Sequence, residues 1–196
     1  MFSSFFKQFY LILSILIFLV IFISCFFTPF LNSSEILNNL EGKEITISIS
    51  GFAWPIPGYS RITSPFGKRV SPTAGASNFH KGIDIGAPEG TFLIAAIDGT
   101  ITYVGFLGGG GYTIILSNGS MKISYCHVSP NFLVKTGEQV LRGQIIAQVG
   151  PKYVYNVPGN TYHDANGSPT NGATTGSHLH FGIRIDDKYV NPLDFY

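Results

Sequence analysis

Residues 112–127 read YTIILSNGSMKISYCH, two β-branched and aromatic runs hinged at Asn118-Gly119. An Asn-Gly pair between alternating apolar runs is the strongest short-range hairpin signal a sequence carries. Strands are expected over 112–116 and 121–127, with His127 closing the second. Outward from this hairpin the pattern repeats. Apolar or alternating runs cover 92–96, 99–106, 144–149 and 178–185, the last turned by Asp186-Asp187 into Tyr189. Gly and Pro (23 and 11 residues) punctuate the chain densely from Gly51 onward. No stretch there keeps helical periodicity for about ten residues, the length that marks a helix. Many short strands and almost no helix predict a mainly β domain, a small antiparallel sandwich or barrel.

The first fifty residues differ. Residues 9–31 read FYLILSILIFLVIFISCFFTPFL, 23 positions without a charge. A helix needs about 20 apolar residues to cross a bilayer, whereas a signal-peptide core has only about 7–15 and ends in small residues. The reading is an uncleaved transmembrane anchor over 1–31, with Cys25 an ordinary membrane cysteine. A juxtamembrane linker and first strand (Ile45, Ile47 and Ile49 alternating with polar residues) follow over 32–53. Lys7 precedes the run and Glu35, Glu41 and Glu44 follow it, so the positive-inside rule sends the domain outside. Setting Lys7 aside, eleven basic residues face eleven acidic ones. Without a basic run, the footprint of nucleic-acid binding is absent. Cys126 is the one cysteine beyond the anchor, which excludes a disulfide framework and fits a buried apolar role.

Residues 151–176 break the rhythm of strands. A loop longer than about 15 residues is usually functional or disordered. Tyr153, Tyr155 and Tyr162 within it argue against disorder. It leads into Ser177-His178-Leu179-His180-Phe181. Side chains alternate along a strand, so His178 and His180 share one face while Leu179 and Phe181 take the core side. Two imidazoles on one face can address one small object. His80 and Asp84, four apart in FHKGID, and His127 supply further donors. A catalytic zinc site takes three such ligands and keeps one position open, and a metal hydrolase also needs acid/base groups. By residue type, His80, Asp84 and one of the strand histidines make a ligand set, with two histidines left over. Each pair alone is weak evidence; Asp84, for instance, could serve only as an acceptor in a turn. His163 is expected to be an exposed loop histidine.

Four blocks, FHKGIDIGAPEGTFLIAAIDGTI (79–101), ISYCHVS (123–129), VKTGEQVLRGQIIAQVG (134–150) and TTGSHLHFGI (174–183), stand in an order that resembles the LytM/lysostaphin-type zinc endopeptidases of bacterial peptidoglycan. The resemblance covers residues 54–196. It implies a peptidase domain of the duplicated hybrid motif type, one Zn2+ held by His80, Asp84 and His180, and catalytic roles for His127 and His178. His178 would act as base and His127 as donor to the developing oxyanion, or the two exchanged. No His-Glu-x-x-His run offers a glutamate base. The implied substrate is a peptide bond in peptidoglycan cross-bridges or stems, cut at the outer face of a bacterial membrane by a single-pass protein. The rival reading is a restrained or non-enzymatic wall-binding scaffold in a division or sporulation complex. The loop 151–176 exceeds the family minimum and lies beside the expected site. It would shape specificity, or cover the site and restrain it, or bring His163 and Asp164 to the metal's open position.

Overall fold

The computed structural model describes residues 51–196. The expected anchor at 9–31, the linker from 32 and the strand at 45–49 lie outside the described residues. Twelve strands are present among those described: β1 (Ile62–Ser64), β2 (Gly67–Lys68), β3 (Phe79–His80), β4 (Ile83–Gly86), β5 (Phe92–Ile94), β6 (Gly99–Phe106), β7 (Tyr112–Asn118), β8 (Met121–Cys126), β9 (Gln139–Val140), β10 (Ile145–Gln148), β11 (His178–Ile185) and β12 (Lys188–Val190). Among the described residues helix is confined to two 3-10 turns, Gly108–Gly110 and Pro192–Phe195.

The predicted hairpin is β7–β8, with Asn118 paired to Met121. Its two-residue loop is therefore Gly119-Ser120, one position later than the Asn-Gly signal indicates. Asn118 stays in the strand because its Nδ2 donates to Asp98 O at 3.0 Å, while Gly119 takes the left-handed turn at φ 57°. The hairpin is the centre of an eight-stranded antiparallel sheet ordered β1-β4-β11-β8-β7-β6-β9, with β12 added against β11. Strands β5 and β10 pair separately, as do β2 and β3.

The sheet is open, its ends being β1 and β9, so the barrel-like part of the expectation is corrected. Closure needs strands that continue the ladder around, and β1 and β9 are only three and two residues long. The core packs one face of this sheet against the β5–β10 pair. Leu93, Ile146 and Ala147 from the pair share a cluster with Ile85, Leu116, Ile123, Leu179 and Phe181. Tyr125 lies fully buried here, its ring edge-on to Phe181 at 5.4 Å. Its hydroxyl accepts from Ala96 N at 2.8 Å, so the buried polar tip is satisfied.

The loop 151–176 is ordered by its own hydrogen bonds. Bridges Tyr153–Thr170 and His163–Pro169 fold it back on itself, and Thr170, Asn171 and Thr174 are buried. Among the described residues no helix is long and apolar enough to cross a membrane.

Candidate metal centre and its groove

Strand β11 behaves as its alternation requires. Leu179 and Phe181 have no exposure, while His178 and His180 keep side-chain exposures of 14% and 19% on the opposite face. Strand β4, which the sequence reading did not place, lies antiparallel to β11 with Asp84 directly opposite His180. Facing residues on paired strands point the same way, so the carboxylate meets the imidazole across the ladder. Gly82 makes this approach possible: a Cβ there would fall 2.4 Å from Phe181 O. His80 enters from β3, held by Nδ1, which donates to Pro65 O at 2.8 Å.

Three ligand atoms converge. His80 Nε2 lies 3.0 Å from Asp84 Oδ1 and 2.8 Å from His180 Nδ1, and His180 Nδ1 lies 2.9 Å from the same oxygen. In the neutral ring the Pro65 contact places His80's proton on Nδ1, leaving a lone pair on Nε2 aimed at a carboxylate oxygen that is also an acceptor. Two acceptors at 3.0 Å repel unless a cation or proton lies between them. A triangle of two imidazole nitrogens and one carboxylate oxygen is the donor set zinc accepts; His80, Asp84 and His180 therefore fit the metal. Burial raises the Asp84 pKa, but hydrogen bonds with His178, His180 and His80 outweigh it and hold the carboxyl well below its usual range. Burial pushes His180 down against the pull of Asp84, which favours the neutral ring that a metal ligand must be.

The remaining two histidines flank this triangle. His178 Nδ1 donates to Gly176 O at 2.8 Å, and its Nε2 stands 3.5 Å from Asp84 Oδ1. His127 sits just past β8 with φ 59°, a left-handed conformation that turns its ring to within 4.7 Å of the His178 ring. Histidine tolerates that region better than most residues. Its Nδ1 donates to Asn171 O at 2.7 Å. Burial, reinforced by the neighbouring imidazoles of His178 and His180, lowers its pKa to about 3. Both rings thus present Nε2 to the groove. His163 is exposed, its Nδ1 on Thr161 O at 3.1 Å, and stands apart from the cluster. Asp164 is spent on Tyr153 Oη at 2.8 Å and on the backbone N–H groups of Asn166 and Ser168.

Two contributors escaped the sequence reading. Arg69 Nη1 donates to Asp84 Oδ2 at 3.2 Å and to Ser64 Oγ at 2.6 Å, so the carboxylate's second oxygen is taken and Oδ1 is left for the histidines. Asn171, fully buried, accepts from Tyr112 N at 2.7 Å and donates to Val128 O at 3.1 Å. It fixes the loop that supplies His127's acceptor. Both residues lie far along the chain from the histidines they serve, and no local spacing marks them. Cys126 lines the same groove, beside His180 in the ladder, as buried filler.

An open β-sheet domain with a mononuclear His–Asp–His centre at the floor of a groove of about 750 Å³ is the arrangement of a metallopeptidase class. The family model for peptidase family M23 matches residues 78–192, and the chain belongs to that family. It is 36% identical over 147 residues to an uncharacterized metalloprotease of Haemophilus influenzae, covering 73% of this chain and 27% of that one. It is 35% identical over 136 residues to the DD-carboxypeptidase/endopeptidase Mpg of Neisseria meningitidis, covering 69% and 27%. The chain thus spans about a quarter of the length of these curated relatives. Among solved structures, the catalytic domain of the antimicrobial peptidase lysostaphin from Staphylococcus simulans superposes with a TM-score of 0.54 at 27% identity, over 69% of this chain and 90% of that domain.

Proposed function

We propose that this protein is a zinc-dependent endopeptidase that hydrolyses peptide bonds in peptidoglycan stems or cross-bridges, through a domain spanning residues 54–196. The observation that carries this is the convergence of His80, Asp84 and His180 on one point, with His127 and His178 beside it. The peptidoglycan substrate draws on the Neisseria relative, whose name describes a carboxypeptidase and endopeptidase. Zinc held by His80, Asp84 and His180 supplies Lewis acidity at the scissile carbonyl and at the attacking water.

The chain's own residues do the rest. His178 takes the water's proton at Nε2, because its Nδ1 proton is committed to Gly176 O. Its Nε2 stands 3.5 Å from Asp84 Oδ1, beside the metal ligands and so within reach of a water bound there. Burial opposes a second proton on His127. With its one proton on Asn171 O, it borders the reacting groups as an acceptor at Nε2. Donation to an oxyanion, the role first expected of it, would require that proton to move to Nε2. Against the scaffold alternative stands a centre that keeps all five expected residues.

The test is digestion of purified wall fragments by zinc-loaded protein, read by mass analysis. His178→Ala is expected to abolish product while retaining zinc, and His180→Ala to lose zinc. Equal product from wild type and His178→Ala overturns the base assignment. Membrane anchoring by residues 1–31, an external domain, and association with division or sporulation proteins complete the proposal. Recovery of the protein in the soluble fraction would remove the anchor.

A further inference from the structure

The groove floor crosses β4, β11 and β8, and two loops flank it. One is the 69–78 connection that leads through β3 into β4; the other is the glycine turn Gly108–Gly110 ahead of β7. The strand order sets them on opposite sides, with β11 and β8 between. Tyr162, from the loop 151–176, lies between the two. A Cβ at Gly75 would lie 2.7 Å from its Cε1, and one at Gly109 would lie 3.4 Å from its hydroxyl oxygen. Gly75 has φ +79°, so both its backbone and the ring against it demand glycine. The tyrosine backbone is fixed on each side: its N–H donates to Asn160 Oδ1 at 3.0 Å, and its carbonyl accepts from Thr170 N at 3.0 Å. Thr170 is buried and precedes the buried Asn171, so the ring is carried next to an anchored part of the loop. Tyr162, Ala173 and Thr175 line the groove by the glycine turn, whose Gly110 O accepts from His127 N, and the His127 ring packs on that of His178 at 4.7 Å; Lys81, Gly182 and Tyr189 line it as well.

We propose that Tyr162 is a specificity-determining residue, a bar that joins the two walls and ends the groove on the His178 side. The site then favours a peptide that terminates shortly beyond the scissile bond on that side, an uncross-linked stem, over a cross-linked peptide that must continue past the ring. This deepens the peptidoglycan reading and rests on it. A longer peptide passes only if the ring leaves both glycine contacts, which raises the barrier for that substrate alone and discriminates at the level of kcat/KM.

The experiment offers zinc-loaded full-length protein a mixture of uncross-linked and cross-linked muropeptides and follows both by mass analysis. Wild type is expected to favour the uncross-linked species. Tyr162→Ala should shift the ratio toward cross-linked substrate by about tenfold. Tyr162→Phe, which keeps the ring but loses the hydroxyl beside Gly109, should shift the ratio less than alanine does. If Tyr162→Ala lowers the melting temperature, Tyr162→Leu, apolar but too short to span both loops, carries the comparison. A wild type without preference, or an unchanged ratio in both shortened variants, overturns the bar. No hydrolysis of either species by zinc-loaded wild type overturns instead the peptidase reading on which it stands.

Discussion

Asn171→Ala tests whether the long loop is a structural part of the centre. The side chain is fully buried and makes two hydrogen bonds to β-sheet backbone, from Tyr112 N and to Val128 O. Alanine leaves that N–H and that carbonyl buried without partners. Each orphan costs about 1–3 kcal/mol, so the loss is about 2–6 kcal/mol. For a domain of this size about 2–4 °C of Tm accompanies each kcal/mol, giving a fall of about 4–24 °C. Thermal unfolding is to be read with chelator present, because zinc binding would raise Tm by mass action. Asn171→Asp is the sharper control: it keeps the acceptor for Tyr112 N but sets an oxygen against Val128 O, so it should destabilise at least as much as alanine. His127's acceptor is the backbone oxygen of residue 171, which both variants retain. A fall in kcat beyond the stability effect would therefore report displacement of that carbonyl. A Tm change under about 2 °C in both variants would refute the reasoning, and with it the claim that the loop is pinned at this point.

Arg69→Gln should weaken zinc binding by about 10–100-fold, the usual cost of removing a partner that orients a metal ligand, read by chelator competition; tighter binding would show that the guanidinium acts mainly by repelling the cation. The zinc-free fold should lose stability as pH falls. The His127 pKa of about 3 in the fold lies below its unfolded value, so the unfolded chain binds more protons between the two. Stability is full above about pH 6.5 and drops by about 2 kcal/mol by pH 5, with Asp84, also lowered, adding to the loss below about pH 4. Denaturant midpoints across pH check this, and an identical slope in His127→Gln would contradict it. Burial pushes the Cys126 thiol up to about 12, so native protein carrying Cys25→Ser should resist a thiol reagent at pH 8 and react once denatured; rapid native labelling would place the thiol in solvent.

What the sequence determined by itself was local. Period-two alternation put His178 and His180 on one face and Leu179 and Phe181 on the other, and the β7–β8 hairpin announced itself to within one residue. The four ordered blocks carried the family and the five expected residues, because a metal centre constrains residue type at fixed short spacings. Strand β4 escaped because Ile83–Gly86 is only four residues long and follows glycine. It is a strand by virtue of its ladder to β11, a contact nearly a hundred positions distant. The open sheet in place of a barrel, Arg69 on Asp84, Asn171 beneath His127 and Tyr162 between two glycines were all decided by tertiary structure. Each depends on which distant segments meet, and that is set by burial and hydrogen-bond satisfaction over the whole domain, which no local pattern encodes.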